Sequence, residues 1–238
     1  MLYLLGLGLW DETDVSVRAL DIAKKCAVYA ELYTSQWHGS LEKLQKMIGK
    51  PIKLLSRSDL EENLQALLNT AKQTDVAIFF SGDPLAATTH VDLLIEAKKQ
   101  KIPVYVVHNA SIFSAIAETG LQLYKFGRAA TIPYTKQLAA VRDAIETNKA
   151  AGLHTLLLLD IDPVAGPMFA GAAIKLLLEA KIIKEREKIV VAAALGSEKS
   201  QIVYDTAAAL STKQFLTPAV VIIPGKLHFR EKDALELL

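Results

Sequence analysis

Two hydrophobic rhythms alternate along the chain. Short apolar runs of four to seven residues are separated by longer stretches in which apolar positions recur every three or four residues, the spacing that lines one face of a helix. Residues 2–7 read as a strand ending in glycine, residues 15–27 as a helix, and residues 28–32 as a second strand. Ser40 caps a helix that places Leu41, Leu44, Met47 and Ile48 on one face. Residues 52–55 form a short strand. Ser58 and Glu61 make a capping box before Leu60, Leu64, Leu67, Leu68 and Ala71 at helical spacing. A strand over 75–80, a helix over 90–101, a strand over 103–107 and a helix from Ser111 to about Gly120 follow.

The second half keeps the style. Residues 136–150 are helical, and residues 155–159 form an almost wholly apolar strand, as in a sheet covered on both faces. Pro167 suits the first turn of a helix running to about Ala180. Strands follow at 189–194 and 201–204, the second as the antiparallel neighbour of the first. Asp205 caps a small helix to about Lys213, and residues 219–223 form the last central strand. Alternating strands and helices imply an α/β fold with mostly parallel sheets. The stretch 125–133, with Gly127, Arg128, Pro133 and little periodicity, divides it into an N-terminal α/β domain (1–126) and a C-terminal α/β domain (127–238).

Composition narrows the function classes. A net charge of +1 over 238 residues leaves no electrostatic footprint for nucleic acid. The single cysteine, Cys26, excludes an internal disulfide and reads as a buried core thiol. Neither a zinc-ligand spacing nor a membrane-length apolar run of about 18 residues occurs, and the N-terminus lacks a basic leader, so the chain is expected in the cytoplasm without a metal. The mixed charges of residues 184–188 read as a solvated loop, and Tyr29 and Tyr33 as core-packing residues.

In open α/β sheets ligands sit at the carboxyl ends of strands. Four segments qualify: Gly6-Leu7-Gly8-Leu9-Trp10-Asp11, Ser81-Gly82-Asp83-Pro84-Leu85-Ala86, His108-Asn109-Ala110-Ser111-Ile112, and residues 160–166. In the first, Gly6 and Gly8 allow close approach of a ligand or simply a tight turn. The third glycine of a dinucleotide fingerprint is replaced by Asp11, whose charge repels a pyrophosphate, although Glu31 stands where a ribose acid would be. In the second, Asp83 either accepts hydrogen bonds from a ribose diol and faces a sulfonium or ammonium charge, or caps a turn.

Taken together, several stretches carry a resemblance: Leu4-Leu5-Gly6-Leu7-Gly8-Leu9, Ala30-Glu31-Leu32-Tyr33-Thr34-Ser35, Ser81-Gly82-Asp83-Pro84-Leu85-Ala86-Ala87-Thr88-Thr89-His90, Ser111-Ile112, Tyr124-Lys125-Phe126-Gly127, Gly152-Leu153-His154-Thr155-Leu156-Leu157 and Pro224-Gly225-Lys226-Leu227-His228. They span nearly the whole chain in order. The sequence resembles the tetrapyrrole-methylase-like superfamily of class III methyltransferases and, within it, the diphthine synthase family, which the Ala-Thr-Thr-His extension sets apart from corrin and porphyrin methylases.

The resemblance implies two α/β domains with S-adenosylmethionine in the cleft between them, and a homodimer. Cofactor contacts are implied at Leu9, Asp83, Ala86, Ser111, Ile112 and Leu159, with backbone contacts near Leu195 and Ala219, where the sequence departs from the family pattern. The implied reaction is repeated methylation of the amino group of a 3-amino-3-carboxypropyl histidine on translation elongation factor 2, giving diphthine. A related methylase of tetrapyrroles or small molecules, or a binding module without turnover, are the rival readings. The loops at residues 133–137 and after Asp162 are shorter than in the family pattern and are expected to border the protein substrate. An ammonium has no lone pair, so the acceptor must lose a proton before attack. Water or, by location, Glu31, His90 or His108 can take it. His38, His154 and His228 read as structural.

Overall fold

The computed structural model describes residues 1–88 and 90–238; Thr89, part of the Ala-Thr-Thr-His run, lies outside the described residues. The chain divides into two compact units, Met1–Phe113 and Ser114–Leu238.

The first unit holds strands β1 (Leu2–Gly6), β2 (Ala27–Glu31), β3 (Lys53–Leu55), β4 (Val76–Phe80) and β5 (Val104–Val107). All pair in parallel in the order β3-β2-β4-β1-β5. Its helices are α1 (Val17–Ala23), α2 (Leu41–Ile48), α3 (Arg57–Glu61), α4 (Leu64–Gln73) and α5 (Val91–Lys99), while α6 (Ile112–Ala115) runs across the division. Side chains alternate across the sheet, so the central strands feed two cores. Ala77 and Phe79 of β4 join Leu5, Ala19, Ala23, Leu44 and Ile48 on one face. Val76, Ile78 and Phe80 join Leu2, Leu4, Leu67, Leu68, Leu93 and Ala97 on the other. Each fully buried Leu, Ile or Phe contributes roughly 2 kcal/mol, so the positions of the strand ends are fixed by the sheet rather than by the loops.

The second unit holds β6 (Ala130–Ile132), β7 (Thr155–Leu159), β8 (Ile161–Asp162), β9 (Gly166–Pro167), β10 (Lys188–Ala193), β11 (Gln201–Thr206) and β12 (Ala219–Ile223). Its helices are α7 (Ala139–Ala150), α8 (Ala170–Glu179), α9 (Ala207–Leu210) and α10 (Phe229–Leu235). The sheet order is β11-β10-β12-β7-β6. The α/β class stands, but this sheet is mixed: only β6 and β7 are parallel, whereas β10 pairs antiparallel with β11 and β12, and β12 with β7. Apolar periodicity reports burial and is silent on strand direction.

Other expectations shift for local reasons. The first unit ends before residue 126, because residues 114–126 are tied into the second unit. Ile116 and Leu121 are buried there, the Gln122 N–H donates to Glu231, and Phe126 bridges to His154. The capping box falls on Ser56 and Asp59 rather than Ser58 and Glu61 and starts a short α3, which ends at Glu61 before α4 begins. Met47 is exposed on α2. Pro167 closes a two-stranded hairpin against β8, and α8 starts only at Ala170. Thr206, not Asp205, caps α9. Cys26 is buried, and burial pushes its thiol up.

Candidate functional site

Strands β4, β1 and β5 are neighbours, and their register brings the carboxyl ends level: Gly6 lies opposite Phe80, and Leu5 opposite Val107. The three loops that follow are joined to one another by hydrogen bonds. Gly8 and Gly82 form a bridge, with the Gly82 N–H donating to Gly8 O at 2.9 Å and the Gly8 N–H to Gly82 O at 3.2 Å. The glycines are sterically required here. A Cβ on Gly6 would stand 2.6 Å from both Asn109 Cβ and the Gly82 carbonyl, and Gly8 has φ of 84° with Asp14 packed against it. Asn109, which sequence reasoning passed over, ties the ends together: its amide donates to Gly6 O and Asp14 O at 3.0 Å each. An asparagine two residues after an apolar strand was the available signal.

Asp83 sits at the centre of this arrangement. One carboxylate oxygen accepts the Leu85 N–H at 3.0 Å. The other accepts the Asn109 N–H at 3.1 Å and faces His108 Nδ1 at 2.8 Å. These bonds are turn-capping bonds, yet the carboxylate is not sealed: its side chain keeps 13% exposure and His108 keeps 69%. Beside it, Gly82 has φ of 68°, and a Cβ there would make only ordinary contact, with Ser111 Cβ at 3.8 Å. Ala86, whose N–H donates to Asp83 O, is half-buried, as are Leu9, Ser111 and Ile112. Five of the expected contacts, Leu9, Asp83, Ala86, Ser111 and Ile112, therefore fall on these three adjoining loops.

The loop after β2 leans on the same place. Glu31 is fully buried, and its Oε1 accepts the N–H groups of Tyr33 and Thr34 at 2.7 Å each. Among the described residues its Oε2 has no hydrogen-bond partner, and it lies 3.5 Å from His90 Nε2. His90 Nδ1 is bonded to the Pro84 carbonyl at 3.1 Å, and its ring packs on Phe80. Burial holds the His90 imidazole below its ordinary value, against the opposing pull of Glu31 and Pro84. Of the three groups expected near the acceptor amine, Glu31 and His90 are buried and His108 is exposed. Tyr33, half-buried between Glu31 and Arg57, is pushed up to about 12, chiefly by burial and then by the Glu31 and Glu61 charges.

On the loop after β1, Asp11 caps a single 3-10 turn and the Trp10 N–H donates to Asp14. His38 stacks flat on Trp10 with ring centres 3.9 Å apart. Glu12 is buried, where the Ser40 N–H and Lys43 overcome the upward push of burial and hold it below its usual range.

In the second unit, Leu159, Leu195 and Ala219 gather at one end of the sheet. Leu158 lies opposite Val220, Ala193 lies opposite Ala219, and the Ala194 N–H donates to Pro218 O. Leu195 and Ala219 are buried and Leu159 is partly so. The remaining histidines are structural. His154 is fully buried, accepts the Gly225 N–H on Nδ1 and meets Glu231 at 2.9 Å through Nε2, while His228 caps α10. Among the described residues, no cluster of three or more His, Cys, Asp or Glu could hold a metal ion, and no helix is long and apolar enough to cross a membrane.

The family model of the tetrapyrrole (corrin/porphyrin) methylases matches residues 1–211. The diphthine synthase of Methanocaldococcus jannaschii is 44% identical over 100% of this chain and 98% of its own length. That of Methanosarcina acetivorans is 42% identical over 99% and 94%. A crystal structure of a diphthine synthase superposes with a TM-score of 0.94 at 35% identity, covering 99% of this chain and 94% of that one. The chain belongs to the tetrapyrrole (corrin/porphyrin) methylase family and, within it, to the family of the diphthine synthases.

Proposed function

We propose that the protein is an S-adenosylmethionine-dependent methyltransferase that repeatedly methylates the amino group of the 3-amino-3-carboxypropyl histidine of translation elongation factor 2, giving diphthine. The observation that carries this reading is the full-length identity of 44% to a diphthine synthase, with no part of the chain left unmatched. The joined loops at the ends of β1, β4 and β5 support it. They present a partly exposed carboxylate, Asp83, which suits a ligand that carries a diol and a positive charge.

When bound, the cofactor supplies an activated methyl group on a sulfonium. The chain's own part is alignment. Leu9, Ala86, Ser111 and Ile112 provide backbone and apolar contact, and Asp83 provides an acceptor and a negative charge. Leu159, Leu195 and Ala219 are proposed contacts on the strength of the sequence resemblance. His108, exposed and paired with Asp83, is the group placed to receive a proton from the acceptor ammonium, or to pass it to water. Elongation factor 2 as substrate places the reaction in the cytoplasm, and the family pattern implies a homodimer, which light scattering at micromolar concentration would test.

The experiment is label transfer. Methyl-labelled S-adenosylmethionine is incubated with the protein and with elongation factor 2, either carrying the aminocarboxypropyl histidine or unmodified. Label on the modified factor alone is the expected result. Label that stays on the cofactor, or moves only to a small-molecule extract, would redirect the assignment.

A further inference from the structure

The buried Glu31 and His90 take no direct part in the chemistry above, yet their burial is costly. A carboxylate at zero exposure with one oxygen unpaired opposes stability unless something else depends on it. What the pair touches is the loop that carries Asp83. Proline has no N–H, so the carbonyl is the only backbone hydrogen-bonding group at Pro84. That carbonyl is held by His90 Nδ1 at 3.1 Å. The ring packs on Phe80, and its Nε2 lies 3.5 Å from Glu31 Oε2. Glu31 is in turn anchored by the N–H groups of Tyr33 and Thr34, and the Ser81 hydroxyl donates to Ser35 O, so the loops after β2 and β4 are joined twice.

We propose that His90 is a positioning residue for methyl-donor binding: it orients the Pro84 carbonyl and so holds the turn that presents Asp83 to the cofactor. The proposal rests on the functional reading above. Substitution separates the donor from the ring. In His90→Asn the side-chain amide nitrogen occupies the place of Nδ1 and still donates to Pro84. In His90→Phe the ring stays against Phe80 and the donor is gone.

Calorimetry of the full chain with S-adenosylmethionine tests it. The expected affinity of His90→Asn is within about threefold of the unaltered protein, and that of His90→Phe is weaker by about tenfold or more. In steady-state assays the His90→Phe defect is expected in KM for the cofactor more than in kcat at saturation, a split that a general loss of stability would not produce. If His90→Phe does not fold, the double variant Glu31→Gln with His90→Phe removes the isolated buried charge and is expected to show the same weakening. Affinity equal to that of the unaltered protein in the donor-less variant overturns the positioning role alone. An unaltered chain that binds no S-adenosylmethionine overturns the functional reading and this proposal with it.

Discussion

His108 Nδ1 lies 2.8 Å from Asp83 Oδ2, an oxygen that also accepts the Asn109 N–H. The exposed imidazole and the half-sheltered carboxylate thus share one oxygen at the junction of the β4 and β5 loops. The two residues are expected to respond differently to substitution. Asp83→Ala removes a charged acceptor worth about 1.5–3 kcal/mol. Asp83→Asn puts an amide against the Leu85 or the Asn109 N–H, a donor against a donor. Both should weaken S-adenosylmethionine binding by at least tenfold in calorimetry. His108→Ala, removing an exposed partner, should leave affinity within about threefold and lower turnover if His108 receives the proton. Unchanged affinity in Asp83→Ala would remove Asp83 from the site.

The glycines give a graded test. Gly6→Ala drives a methyl to 2.6 Å from the Gly82 carbonyl, a backbone atom that cannot step aside without parting the β1 and β4 loops. Gly82→Ala meets Ser111 Cβ at 3.8 Å, an ordinary van der Waals contact, and costs only its left-handed φ of 68°, about 1–2 kcal/mol. Thermal unfolding should therefore show the larger loss for Gly6→Ala, whereas Gly82→Ala should lose cofactor affinity out of proportion to its stability. The reverse order would mean that the space beside Gly82 is not used.

Acid stability should centre on Glu231, away from the proposed cofactor loops. Burial raises its carboxyl, but Lys125, the N–H groups of Gln122 and His228, and His154 outweigh burial and hold it at about 2. A folded-state value below the ordinary 4.5 means that stability is fully present above pH 4.5 and is lost as pH falls toward about 2. His154, held by burial below its ordinary 6.5, acts with the same sign and begins higher, as the unfolded chain takes up its proton. Unfolding free energy measured against pH should fall from about 6.5 downward, with a steeper limb below about 4.5. Glu231→Gln should flatten the lower limb, and Glu231→Ala should cost about 3–5 kcal/mol at neutral pH by stranding Lys125 and His154.

Much of this was legible in the sequence because burial leaves a periodic trace. The apolar runs of β1, β4, β7 and β12 and the glycines that end β1 placed the strands, and the position of Asp83 after a wholly buried strand placed its loop. Direction of pairing left no such trace, which is why the antiparallel β10 to β12 and β12 to β7 pairs came only with the structure. Capping signals misled where two matched: Ser56 with Asp59 and Ser58 with Glu61 share one spacing, and only the first is formed. Pro167 looked like a helix start, but Asp162 accepts the Val164 and Ala165 N–H groups and folds a hairpin first. Long-range polar partners were invisible. Nothing in the local sequence joins Glu31 to His90, or Glu231 to His154 and Lys125, since those pairings exist only once the sheets are assembled.

The most direct test of the account is the mass of the modified histidine peptide. The protein is incubated with S-adenosylmethionine and elongation factor 2 bearing the aminocarboxypropyl histidine, and the peptide is weighed over time. The account predicts stepwise gains of single methyl masses confined to that histidine, lost in Asp83→Ala at low cofactor concentration. A peptide whose mass never changes, while calorimetry shows the cofactor bound, would contradict it.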